Sequence, residues 1–110
     1  MKDCTGVIYK INCNTQGCQI WYIGETKSAL KKRIREHHNK NNKDSVVAQH
    51  MTSLKHHFDW SNVKIIDRES NYYKRKISEM IYIKNTKNNI NRTDDTKNLS
   101  RIYNSVIKIL

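Results

Sequence analysis

At 110 residues, with 36% hydrophobic side chains and no proline, the chain has room for one domain with a modest core. Twenty-one Lys and Arg against ten Asp and Glu leave a formal charge of +11, which favours a nucleic acid or an anionic membrane surface as partner. No run approaches the ~20 apolar residues of a membrane span, so nucleic acid is the preferred reading and no membrane is expected.

In chain order, residues 6–11 and 20–24 are β-branched and aromatic and read as two strands, with Gly24 closing the second. Thr26 or Ser28 then caps a helix over 28–40, in which Leu30 and Ile34 share one face and Lys31, Lys32 and Arg35 the other. Residues 39–44 are a polar loop, and Asp44 or Ser45 starts a second helix over 45–54. A third strand follows at 63–69. The longest helix spans 71–85, with apolar positions at Tyr73, Ile77 and Ile81 and at Met80 and Ile83. An Asn-rich loop precedes a short terminal helix at 99–110. The order ββααβα(α) gives a small α/β (α+β) domain, a three-stranded sheet with helices. Thirteen asparagines reflect genome composition more than function.

Three cysteines, an odd number, fit poorly with a closed disulfide framework and favour a reducing compartment, cytosol or nucleus. The opening "MKDCTGV" has no apolar region of a secretory signal. The glycosylation pattern at 91–93 therefore carries no weight. In a reducing setting a close cysteine pair points to a metal. Cys13 and Cys18 are separated by four residues, His50 and His56 by five. Thiolate and imidazole are the preferred ligands of tetrahedral Zn²⁺. His57 competes for the fourth place and Cys4 for the first. The bland alternative is a pair of small buried thiols and unrelated surface histidines at a helix end.

A second set of groups could act on phosphate. Tyr9 and Tyr22 come from neighbouring strands and can share one face of the sheet. Arg33 and His37 are spaced i, i+4 on one side of the first helix. Glu79 stands among Ile77, Met80, Ile81 and Ile83. Singly, each has an ordinary explanation: a strand tyrosine packs, a helix arginine is solvated, and Glu79 pairs along the helix with a Lys or Arg such as Arg75. Together, phenol, imidazole, guanidinium and carboxylate supply a proton acceptor, a cation and a metal ligand for phosphodiester hydrolysis.

"VIY" at 7–9, "YIG" at 22–24, "LKKRIREH" at 30–37 and the late Glu79 resemble the GIY-YIG nuclease superfamily, over most of the chain. "GVIYKINC…C…YIGET", "SVVAQHMTSLKHHFDW", "VKIIDRESNYYKRK" and "NRTDD" are similar, more narrowly, to the endonuclease domain of Penelope-like retroelements. The resemblance implies a three-stranded antiparallel sheet flanked by helices. It implies Tyr9 as general-base candidate, with Tyr22 and His37 as assistants or rivals. Arg33 would steady negative charge, and Glu79 would hold Mg²⁺ or Mn²⁺. Asn91, or the nearby Asn89, would support the site, and Gly24 would let the backbone turn near the phosphate. In the narrower group Cys13, Cys18, His50 and His56 form a zinc site, read as structural because four protein ligands close the shell.

One departure is Val7, where the superfamily usually has Gly, with Gly6 displaced by one. The implied activity is metal-dependent nicking of target DNA in the nucleus, which lets a reverse transcriptase domain of the same polyprotein prime from the new 3′ end. The 1–110 domain is then one part of a longer chain. Lys31, Lys32 and Arg35 are the expected phosphate contacts. The alternative function is a zinc-stabilised basic module that binds nucleic acid without catalysis. Oligomeric state is not legible in the sequence.

Overall fold

Three strands form an antiparallel sheet in the order β2-β1-β3 in a computed structural model that describes residues 5–38 and 45–91. The strands are β1 (Val7–Asn12), β2 (Trp21–Thr26) and β3 (Lys64–Arg68); the helices are α1 (Leu30–His38), α2 (Val46–Leu54) and α3 (Tyr72–Asn85). A 3₁₀ turn at Trp60–Asn62 leads into β3. The expected loop at 39–44, the terminal helix at 99–110 and Cys4 lie outside the described residues.

Alternation along β1 divides the core. Val7, Tyr9, Ile11 and Cys13 point to one face, where Tyr22, Leu30, Val47 and Phe58 complete a cluster under α1 and α2. Ile8 points to the other face and meets Ile23, Ile66 and Ile83 under α3. Ile8 and Ile23 are 0% exposed, and truncating either to alanine costs on the order of 2–5 kcal/mol. A bulge keeps both faces supplied: Ile8 pairs with Asp67 but Tyr9 pairs with Ile65, which leaves Ile66 as the extra residue on β3. Ile65 thus joins the Tyr9 side and Ile66 the Ile8 side.

Helix boundaries follow side-chain chemistry. Ser45 caps α2 by accepting from the Ala48 N–H, and Asn71 caps α3 by accepting from the Lys74 N–H. In α3 the buried positions are Arg75, Ile77, Glu79, Met80 and Ile83, whereas Tyr73 and Ile81 are exposed. The expected Tyr73–Ile77–Ile81 row is therefore rotated, because the sheet takes Ile83 and a charged residue, Arg75, in place of the outer pair.

β2 does not end at Gly24. It continues to Thr26, so Gly24 sits mid-strand opposite Tyr9 and Glu25 pairs with Ile8. Thr26 is accordingly the last residue of the strand, and its hydroxyl donates to the Ser28 carbonyl at 3.1 Å in the turn before α1. Gly6 sits at φ +62, with the Glu69 carbonyl 3.1 Å from where a β-carbon would stand. A glycine is required there, while the following Val7 is an ordinary buried strand residue.

Candidate active site and metal centre

Tyr9 lies on the central strand, 1% exposed, and its hydroxyl is 2.8 Å from His37 Nε2. The other ring nitrogen, Nδ1, is 2.9 Å from the Ser45 hydroxyl, so the cap of α2 also fixes the imidazole of α1. Tyr22 packs edge-on to His37 with ring centroids 5.2 Å apart, and Trp60 lies near-parallel to the imidazole at 6.5 Å. The two tyrosine rings are 6.1 Å apart. Gly24 makes this possible: a β-carbon there would stand 2.5 Å from the Tyr9 hydroxyl and 2.9 Å from a Tyr22 ring carbon.

Burial, then the neighbouring Tyr22, raises the Tyr9 pKa well above 10, so Tyr9 is a neutral phenol at physiological pH. Arg33 reaches the same space from α1. Desolvation works against its charge, but Tyr9, Tyr22 and Glu36 outweigh that and raise its pKa further, making it a permanent cation. Its 3.0 Å contact with Glu36 is half-exposed and adds no more than ~1 kcal/mol.

Glu79 enters from α3. It is 9% exposed, its Oε1 is 3.5 Å from the Lys76 ammonium, and its charge is felt at Tyr9. The expected pairing with a basic neighbour on the helix is made by Lys76, three residues earlier. Arg75 is 2% exposed, donates from Nε to Glu25 Oε2 at 2.6 Å and from one terminal nitrogen to the Glu69 and Ser70 carbonyls, at 3.2 Å each. This ion pair ties α3 to β2 immediately after Gly24, and Lys76 adds a contact to Glu25 at 3.4 Å.

The two candidate asparagines separate by geometry. Asn91 accepts from the Ile23 N–H at 3.1 Å and donates to the Ile23 carbonyl at 2.7 Å, holding the edge of β2 between Tyr22 and Gly24. Asn89 instead donates to the Ile83 and Thr86 carbonyls at the end of α3. Lys31, Lys32 and Arg35 are all exposed along α1.

The metal-like cluster is assembled away from these groups. Cys13, Cys18, His50 and His56 offer ligand atoms all within 4.8 Å of one another. Cys13 Sγ is 3.5 Å from His56 Nδ1, Cys18 Sγ is 3.6 Å from His50 Nε2, and the two ring nitrogens are 3.1 Å apart. Tetrahedral zinc at its usual bond lengths sets S···N edges of about 3.5 Å and N···N edges of about 3.3 Å. The donor set and its spacing fit zinc.

His57 is exposed and lies outside the cluster. Its backbone carbonyl accepts from the Asn14 N–H and its N–H donates to the Thr15 hydroxyl, which stitches the β1–β2 connection to the end of α2. Desolvation, then the adjacent His56, lowers the His50 pKa and keeps it neutral, as a metal ligand requires. Desolvation likewise raises the Cys18 pKa, aided by Cys13, a state that a bound divalent cation reverses.

Sequence reasoning missed Ser45 and Trp60 beside His37, and the Glu25–Arg75–Lys76 set. Ser45 is visible in the sequence as a helix cap, but its second bond depends on how α1 and α2 meet.

Among the described residues no helix is long and apolar enough to cross a membrane. A search of curated proteins and a search of solved structures find no match. A family model, the GIY-YIG catalytic domain, matches residues 5–93 and takes in both tyrosines, Arg33, His37, Glu79 and the cysteine–histidine cluster. That match indicates a nuclease-type endonuclease acting on DNA, and the chain belongs to the GIY-YIG catalytic domain family.

Proposed function

We propose that the domain hydrolyses one DNA strand in a divalent-metal-dependent reaction, with Tyr9, Arg33, His37 and Glu79 as the reacting groups. The observation that carries this reading is the buried Tyr9–His37 hydrogen bond with Arg33 beside it and Glu79 in electrostatic reach. A neutral phenol becomes a base only if its own proton has somewhere to go. With Ser45 accepting from His37 Nδ1–H, Nε2 carries the lone pair that accepts the Tyr9 proton while the phenol oxygen takes one from water. Arg33 stabilises charge on the phosphate oxygens. Tyr22 packs the imidazole in place, and Asn91 holds the strand that carries Tyr22 and Gly24.

A single carboxylate at Glu79 suits a hydrated Mg²⁺ or Mn²⁺, which commonly keeps several waters and takes one or two protein ligands. Such an ion supplies Lewis acidity at the phosphate when bound. The Cys₂His₂ cluster is read as a structural zinc site, since four protein ligands leave no open position.

The sequence likeness of Cys13, Cys18, His50, His56 and the 63–76 region to Penelope-like endonucleases supports a narrower role. In this role the domain nicks target DNA in the nucleus, as part of a longer polyprotein whose reverse transcriptase extends the new end. The test is to nick supercoiled plasmid, recover the open circle and offer it to a polymerase with labelled nucleotides. Extension from the nick supports priming; a blocked 3′ end contradicts it.

A further inference from the structure

Tyr22 faces the catalytic groups, so the preceding residue, Trp21, faces the opposite side of the sheet. On that side Lys10 lies over the indole at 4.1 Å and Lys64 is 5.7 Å from it. Lys10 and Lys64 are also direct cross-strand partners. Like charges placed opposite one another in a sheet are destabilising. A row of Trp, Lys and Lys running across β2, β1 and β3 is poor design for a solvated face and good design for an anion with a flat group attached.

Beside this row is a cavity of about 410 Å³ lined by Trp21, Asn12, Gln19, Lys87 and Asn88, within the size range of small-ligand sites. Its walls are fixed by structure. The Trp21 N–H donates to the Asn88 carbonyl and the Ile90 N–H donates to the Trp21 carbonyl, both at 2.9 Å, pinning the segment that carries Lys87 and Asn88. The opposite wall includes Cys13 and Cys18, so the candidate zinc ligands hold the turn that presents Gln19.

We infer that this cavity is a second DNA subsite that takes one unpaired nucleobase, with the adjoining backbone phosphate on Lys10 and Lys64. Trp21 lines the cavity while Lys10 and Lys64 do not, so the indole can stack on a base there, and the three carboxamides offer the paired donors and acceptors that read a base edge. Because the base must leave its stack to enter, the subsite favours DNA with an unpaired nucleotide over continuous duplex. The inference rests on the DNA-cleaving reading above and adds which DNA structure the domain prefers.

The test is fluorescence anisotropy on the whole domain, zinc content verified, with a blunt duplex and the same duplex carrying a short single-stranded flap. Wild type should bind the flap substrate more tightly. Trp21→Ala should reduce that preference by roughly 5- to 150-fold, the range of one lost base-stacking contact, and Trp21→Phe should keep most of it. Lys64→Ala should lower the salt slope by about one phosphate. Gln19 is exposed, so Gln19→Ala serves if the indole substitution unsettles β2. Equal preference in wild type, Trp21→Ala and Gln19→Ala overturns the subsite while leaving the nuclease reading intact. Wild type that binds neither DNA overturns both.

Discussion

A β-carbon on Gly24 would stand 2.5 Å from the hydroxyl of Tyr9, so the second motif's glycine is the space that the first motif's tyrosine occupies. The two residues are direct cross-strand partners. Gly24→Ala should therefore push the phenol off His37. Misplacement of that order costs roughly 100-fold in rate. Overpacking should cost about 1–3 kcal/mol in stability. Steady-state cleavage and urea unfolding of the same preparation check both.

The Tyr9 phenol gives a pH signature. Its folded pKa lies above the unfolded value of about 10, so its proton is held more tightly in the native state. That stability is fully present below about pH 10 and is lost as pH rises from there through the folded pKa. The stability difference between wild type and Tyr9→Phe should be flat from neutral pH to about 10 and shift against wild type above it. Urea titrations of the two proteins at stepped pH measure this, and a flat difference throughout contradicts the burial argument.

Arg75 is the one buried Lys or Arg among the described residues. Removing it leaves Glu25 with Lys76 alone and takes the donor from the Glu69 and Ser70 carbonyls, which costs about 1–3 kcal/mol. Arg75→Met should lower stability by that order, and Arg75→Lys should not restore it, because one ammonium cannot reach Glu25 and two carbonyls in the same geometry. Denaturant midpoints at equal slope decide it.

Much of this was legible in the sequence, and what was not has identifiable causes. Apolar periodicity located β1, β2, β3 and all three described helices, and residue chemistry located the Cys13–Cys18–His50–His56 cluster. The end of β2 is not legible because glycine reads as a terminator; here it is a packing requirement set by Tyr9, a residue on another strand. The apolar row through Tyr73 and Ile81 fails because Arg75, a charged residue, takes an inward position that Glu25 and the Glu69 and Ser70 carbonyls make tolerable. Ser45 beside His37 depends on how two helices dock, which no local pattern records.

Zinc should be part of the folded state. The purified domain is expected to carry one Zn²⁺ per chain, and chelation should cost it the cooperative unfolding transition, since ligand assembly and folding are linked. His56→Ala should do the same, whereas His57→Ala, at an exposed position outside the cluster, should retain the metal. Metal analysis with a thermal melt separates these outcomes.

In the proposed reaction Glu79 and Arg33 complete the hydrolytic set around Tyr9 and His37. The most direct measurement is nicking of supercoiled plasmid in Mg²⁺ or Mn²⁺, beside Glu79→Gln, Arg33→Ala and an EDTA control, with DNA affinity measured for each variant. Open-circular product should form with wild type alone, with both variants still binding DNA. Product that persists with folded Glu79→Gln, or in EDTA, would contradict the proposed reaction.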